Sequence, residues 1–355
     1  MTKPLSTSGR SRPGTHGDAD TVEPTIADTP IGSGNDKIHA AGTAHRRNDR
    51  IFKGIATTSA ATITVLIAAI GFFLLWRAVP ALMNNADGLT GFFTYGGDWN
   101  TSDTSAMLFG IPNLLAVTVT VSLVALALAM PVALGVALYL SAYAPERLRK
   151  PLGFLVDLLA AVPSIVYGLW GAAVLGPALG GVFEWINAHA DSFFLFRHYA
   201  NSPAFSTSRN VLTGGVVLAI MILPVIAATA REVFVQTPAG HKESALALGA
   251  TRWEVVKMTV LPFGFSGYIS GSMLGLGRAL GETMALYLVV SPSSAFRGSL
   301  FDGGTTFATA IANAAPEFND NLKAGAYIAA GLVLFLLTFV VNAGARAVIK
   351  NRSMS

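Results

Sequence analysis

The run Thr237-Pro238-Ala239-Gly240-His241-Lys242-Glu243-Ser244-Ala245-Leu246-Ala247-Leu248-Gly249-Ala250-Thr251-Arg252-Trp253-Glu254-Val255-Val256-Lys257-Met258-Thr259-Val260-Leu261-Pro262 opens an apolar segment that later carries Gly275-Leu276-Gly277-Arg278-Ala279-Leu280-Gly281-Glu282-Thr283-Met284-Ala285. A polar helix-loop-helix thus leads straight into a long apolar stretch holding two opposite charges. Thr237 before Pro238 predicts a helix start with a side-chain cap and a proline at the first helical position, where its missing N–H costs nothing. The helix is expected to reach Leu248, with Gly249 as its left-handed terminus. Thr251-Arg252-Trp253-Glu254 has the spacing of a capping box, so a second helix starts there and runs to the breaker Pro262. Such a knob is stiffly tied to the span that follows it. It suits a cleft in a soluble partner, with Ala245, Leu246 and Leu248 as apolar contact and Glu243, Arg252 and Glu254 as rim charges. An interfacial connector is the plainer alternative.

Outward from this stretch, the composition sets the class. Of 355 residues, 52% are hydrophobic and 12% charged, against about 25% charged in soluble domains. The apolar residues fall in long uncharged blocks, so the chain is read as all-α and polytopic in a membrane. The net charge of +4 comes from basic residues between those blocks, where they act as topology signals rather than as a nucleic-acid footprint. Cysteine is absent, which excludes a disulfide framework, a thiolate metal site and a cysteine nucleophile. None of the lysines follows a glycine, so the phosphate-cradling Gly-Lys of a nucleotide-binding loop is missing and the chain is not read as an enzyme.

Residues 1–45 are rich in Ser, Thr, Gly, Pro and Asp and lack apolar periodicity. They are expected to form a disordered tail, leaving 46–355 as the membrane domain. No apolar stretch precedes Gly54, so no cleavable signal is expected and span 1, Gly54 to Trp76, is its own insertion signal. It would extend about 35 Å as a helix, enough for a core of about 30 Å. The others are placed at Ile111–Leu140, Leu152–Leu179, Val211–Ala230, Phe263–Val290 and Ala324–Val348. In this six-span arrangement Arg46, Arg47, Arg50, Lys53, Arg147, Arg149, Lys150, Arg231, Lys242, Arg252, Lys257, Arg346, Lys350 and Arg352 gather on one side. Only Arg77, Arg197, Arg209, Arg297 and Lys323 lie on the other. Both termini are therefore expected in the cytoplasm.

Inside the spans, Arg278 and Glu282 are four residues apart and are expected to pair on one helix face. Ionisable groups in a span mark a functional site by default; a self-neutralising structural pair is the alternative. Gly271, Gly275, Gly277 and Gly281 permit close helix approach or a nearby ligand. Asp157 is expected to pair with Arg149 or Lys150 or to reach the interface, a gate being the alternative. Trp185, Phe193, Phe194, Phe196 and Tyr199 read as an interfacial belt.

Glu243-Ser244-Ala245, then Gly249, then Leu261-Pro262, resembles the EAA loop of ATP-binding cassette importer permeases, with Ser244 and Thr259 departing from its usual residues. Gly275 to Ala285, Leu158-Leu159-Ala160-Ala161-Val162-Pro163-Ser164-Ile165-Val166-Tyr167-Gly168-Leu169-Trp170-Gly171, Trp99-Asn100 and Phe109-Gly110-Ile111-Pro112 are similar to the PstC-type permeases of bacterial phosphate importers. The likeness runs from about residue 50 to the end of the sequence.

That resemblance implies six helices of the MetI-like type in the bacterial plasma membrane. It implies coupling helices over 237–261 (Glu243, Ser244, Ala245, Gly249, Arg252, Glu254, Leu261, Pro262) docked on a cytoplasmic ATPase dimer, a second homologous permease, and an extracytoplasmic phosphate-binding protein. Arg278 and Glu282 would be required for phosphate translocation. No cofactor is expected on this chain; ATP and magnesium belong to the partner ATPase. Sulfate or molybdate as the oxyanion, an ion-coupled secondary transporter, and a phosphate sensor are the competing readings.

Overall fold

The computed structural model describes residues 34–103, 106–197, 203–294 and 296–352. Its helices are α1 (Gly34–Met83), α2 (Gly88–Thr94), α3 (Pro112–Leu138), α4 (Glu146–Ala160), α5 (Ser164–Trp170), α6 (Gly176–Ala190), α7 (Pro203–Ser206), α8 (Val211–Val235), α9 (Ala239–Ala247), α10 (Arg252–Val255), α11 (Leu261–Leu280), α12 (Met284–Val289), α13 (Phe307–Ala314) and α14 (Asn321–Arg352). Among the described residues there is no strand, only two isolated bridges. The described residues divide into two units, one ending at Val65 and the other beginning at Leu66. Helix α1 starts at Gly34, inside the stretch read as a disordered tail; Ala40, Ala41 and Ala44 give that part the helix propensity its polar neighbours hide. Residues 1–33 of the expected tail lie outside the described residues.

Among the described residues five helical segments are long and apolar enough to cross a membrane: Arg50–Met83, Pro112–Tyr143, Ser164–Ala190, Val211–Val235 and Asn321–Ala347. The first, second, fourth and fifth contain or closely match the expected spans. The third is displaced. Helix α4 ends at Ala160, Pro163 sits at the N-cap of α5, and the apolar run starts only at Ser164. Proline disfavours helix in the residue before it, so it divides the expected Leu152–Leu179 span. The stretch expected as Phe263–Val290 is also divided, into α11 and α12.

The core of the larger unit is built on α8, the most buried of the candidate spans. Asn210 caps it, accepting from the Thr213 N–H at 2.9 Å. Helix α3 offers α8 a column of Ala125, Ala129, Ala133 and Ala137, all fully buried at one-turn spacing, together with Val121 against Gly214. From the other side α11 presents Gly264, Gly267, Gly271 and Gly275. A Cβ there would come within 2.1 Å of Phe234, 2.4 Å of Val233, 2.9 Å of Thr229 and 2.9 Å of Ile226 respectively. Apolar tails give helices no hydrophobic reason to associate in lipid, so close backbone approach through small residues supplies the packing. Gly271 and Gly275 therefore serve helix contact. Gly277 has nothing within 4 Å of its added Cβ and faces open space.

Candidate translocation site and coupling knob

The knob forms largely from its own local signals. Gly249 has φ +86°, and the turn is closed by Gly249 N–H to Leu246 O at 3.0 Å and Ala250 N–H to Ala245 O at 3.1 Å. The Thr251–Glu254 capping box is complete, with Glu254 Oε2 accepting from the Thr251 N–H at 2.7 Å and from its hydroxyl at 2.8 Å. Two expectations are corrected. Pro238 is itself the N-cap of α9, and Thr237 instead donates its hydroxyl back to Phe234 O at 2.9 Å, closing α8. Pro262 breaks nothing: α10 passes through a π turn, Val256–Val260, into α11, where Pro262 occupies the first turn. The π turn re-registers the backbone so that Leu261 N–H bonds Val256 O, and at the start of a helix the absent proline N–H is tolerated.

Ala245 is buried against the body, while Leu246, Leu248 and Trp253 are exposed. The apolar surface a partner would meet is thus Leu246, Leu248 and Trp253. Trp253 carries no separate sequence signal, because it lies inside the capping box. Glu243, Ser244, Arg252 and Glu254 are exposed beside it, Leu261 is partly buried and Pro262 exposed at the root of α11. The hydrogen bonds from Thr251 hold the Glu254 carboxyl below the ordinary carboxylate range. A depressed folded-state pKa stabilises the cap above the unfolded value and loses that stability as pH falls through the folded one. Amide exchange at Val255, corrected for intrinsic pH dependence, is expected to accelerate as the medium is acidified below the ordinary carboxylate range. Glu254→Ala should exchange fast at every pH.

The charged residues of α11 do not pair as expected. Helix α11 ends at Leu280 with Gly281 as its C-cap, and α12 begins at Met284. Glu282 lies in the break, 8% exposed, and its Oε1 accepts from the Ala285 N–H at 3.0 Å, capping the first turn of α12. Arg278 turns elsewhere, donating Nη1 to Ala160 O at 3.3 Å. The i, i+4 rule fails because the helix it assumes stops between the two residues.

Ala160 is the last residue of α4, just before the other break. Arg278 therefore connects two interrupted helices. They also pack directly, since a Cβ on Gly168 of α5 would lie 2.8 Å from Ala285 Cα, and Tyr167 spans its own break by donating to Leu159 O at 2.8 Å. Irregular backbone at membrane depth is tolerated where it is buried in protein or lines a solute cavity, and paired discontinuous helices commonly bracket a transport site. Among the described residues the ion pair found is Arg231–Asp157, at 3.3 Å. Arg278 has no carboxylate within 4.0 Å among the described residues. The Arg231–Asp157 pair also corrects the partner expected for Asp157. It joins α4 to α8 over Gly153, where a Cβ would lie 1.8 Å from Arg231 Nη1, with the Asp157 side exposed and the Arg231 side partly buried.

Past the break, at the end of α12 away from the knob, lies a cavity of about 200 Å³ lined by Arg209, Tyr287, Thr305, Thr306, Thr309 and Asn313 among others. It shares Pro292, Thr305 and Asn313 with a neighbouring cavity of about 330 Å³ that Trp99 and Tyr327 also line. Arg209 Nη2 donates to Tyr287 O at 3.4 Å while its Nε is buried without a partner. Sequence reading counted Arg209 only as a topology charge, because its companions come from distant segments. Of the aromatic belt, Trp185, Phe193 and Phe194 are exposed, whereas Phe196 packs on the buried Phe301; Tyr199 lies outside the described residues.

A multi-span chain with a helical knob and paired helix breaks is the architecture of a transporter's membrane subunit, and the chain belongs to the family of binding-protein-dependent transport system inner membrane components, whose model matches residues 129–353. It is 51% identical over 305 residues to the phosphate transport system permease protein PstC 2 of Mycobacterium tuberculosis, covering 85% of this chain and 92% of that one. It is 50% identical to PstC of Mycobacterium leprae, over 85% and 93% of the two chains, and 38% identical to PstC of Xylella fastidiosa, over 84% and 90%. Among solved structures, a chain of the MetNI methionine ABC transporter in an inward-facing conformation aligns at 14% identity and TM-score 0.49, covering 68% of this chain and 95% of that one. The chain is a multi-pass inner-membrane protein.

Proposed function

We propose that this chain is the permease subunit of an ATP-driven importer of inorganic phosphate, forming half of the translocation pathway and passing force from a cytoplasmic ATPase through the Gly249 knob. The observation that carries the reading is Arg278, a guanidinium held between two helix breaks with no carboxylate within 4.0 Å among the described residues; the relatives named above, phosphate transport permeases by name, select the anion. In this reading α11 and α12 make one interrupted crossing that adds a sixth to the five candidate spans. With both termini cytoplasmic, the Arg209 cavity opens outward and the knob inward. A binding protein delivers phosphate to the outer mouth, a second permease supplies the facing half, and closure of the ATPase dimer draws the knobs together and switches the spans. Phosphate passes Arg278, whose planar donors match an oxyanion bidentately. This chain performs no covalent step and binds no cofactor; ATP and magnesium act on the ATPase.

Co-expression with its neighbours tests the class. An ATPase and a second permease should co-purify, and phosphate uptake should stop when ATP hydrolysis is blocked. Uptake that survives the block and collapses with the proton gradient would replace this reading by an ion-coupled transporter, and preferential uptake of sulfate or molybdate would change the substrate. A reporter fused after Arg149 is expected to read cytoplasmic; an extracytoplasmic signal would overturn the topology.

A further inference from the structure

A further cavity, lined by basic residues, lies at the base of the knob. It measures about 300 Å³ and is bounded by Ser141 and Tyr143 from the π turn that ends α3, by Arg149 from the first turns of α4, by Lys242 of α9 and by Arg252 of α10. Three cations from three elements face one space, and no acidic residue lines it among the described residues. None of the three has a carboxylate within 4.0 Å among the described residues, where the ion pair found is Arg231–Asp157. Arg149 is held in place by one long bond, Nη2 to Ala144 O at 3.4 Å, and its Nε is buried with no acceptor. Like charges converging on a cavity raise one another's energy, and a buried donor left unsatisfied adds its own cost. A multivalent oxyanion removes both penalties at once, and guanidinium groups are suited to its geometry.

We infer that this cavity binds a phosphate group, which bridges Arg149 of the membrane body to Lys242 and Arg252 of the knob. The proposal rests on the permease reading for the side on which the cavity opens. Facing the cytoplasm at the root of the coupling helices, a bound phosphate ties the knob to α4 and so links its position to an anion held at a site off the transport path. The same chemistry is offered by free phosphate, the imported product, and by the headgroup of an anionic phospholipid in the inner leaflet.

The absence of cysteine allows a direct test. Ala142, which lines the cavity, is replaced in an Ala142→Cys chain, the complex is purified with its partners into nanodiscs of phosphatidylcholine, and the rate of maleimide labelling of this chain is followed. At a ligand concentration about three times Kd, occupancy should slow labelling about fourfold. One arm titrates inorganic phosphate against potassium chloride of equal ionic strength. The other replaces part of the lipid by phosphatidic acid without added phosphate. Protection in the first arm identifies free phosphate and in the second a lipid headgroup. In either case it should disappear in an Arg149→Gln/Lys242→Gln background that still co-purifies with the ATPase. No protection in either arm, equal protection by chloride, or protection that survives the double substitution would overturn the proposal. Phosphate uptake by proteoliposomes of the unsubstituted complex, measured in parallel, separates this failure from failure of the permease reading.

Discussion

Arg278→Gln is expected to reduce phosphate uptake about a hundredfold while leaving the complex assembled. The estimate follows from the loss of one charge-assisted interaction of about 3 kcal/mol. Glutamine is shorter than arginine, so the contact Arg278 makes with Ala160 O at 3.3 Å is lost together with the charge and the bidentate fork, while the direct packing of Gly168 on Ala285 still joins the two broken helices. Among the described residues no carboxylate lies within 4.0 Å of Arg278, and Glu282 is turned to the Ala285 N–H. Removing the cation therefore does not strand a partner anion, and the complex should remain intact. Arg278→Lys keeps the charge without the fork and should lie between the two. Glu282 gives a different pattern. Glu282→Gln preserves an acceptor for α12 and should lose less transport than Glu282→Ala, which frees a buried N–H. Uptake is measured as labelled phosphate accumulation, with co-purification of the ATPase as the assembly control. Normal uptake in Arg278→Gln would remove this residue from the pathway.

These residues also show where sequence reading reaches and where it stops. The knob was legible because its signals are local: Gly249 takes the left-handed conformation, and Thr251 meets Glu254 within one turn. Four of the spans were legible because twenty or so apolar residues admit few alternatives in a bilayer. The helix breaks were not. Pro163 was visible, yet whether it kinks a span or starts one depends on what the freed carbonyls meet, and Arg278 comes to Ala160 O from far along the chain. The break after Leu280 contains no proline at all. There Gly281 weakens the helix and the Glu282 carboxylate competes as a cap for the next one, a contest between local hydrogen bonds that a charge-spacing rule does not weigh. Arg209, Tyr287, Thr305 and Asn313 carry no spacing signal, because only tertiary packing assembles them.

Gly249→Val should uncouple ATP hydrolysis from transport. An added Cβ at this position meets nothing within 4 Å, so the substitution creates no clash, and its cost lies in the backbone. At φ +86° a β-branched residue is strained by about 1–3 kcal/mol, enough to shift the population of the corner by about fivefold or more. Relief comes from rotating φ to negative values, which breaks the bonds from the Gly249 and Ala250 N–H groups to Leu246 O and Ala245 O and swings α10 relative to α9. The exposed apolar surface then separates: Leu246 and Leu248 lie on one side of the corner and Trp253 on the other. A cleft shaped for the intact knob would lose its hold. The expected result is release of the ATPase on purification, or hydrolysis that no longer responds to the phosphate-loaded binding protein, with uptake near background. Gly249→Asn is the decisive control, because asparagine tolerates the left-handed region while adding a side chain as large as valine. It should retain most coupling if conformation is what matters, and lose it alongside valine if the partner needs the bare space above the corner. Stimulated hydrolysis and uptake unchanged in Gly249→Val would show that force enters the spans elsewhere than through this corner.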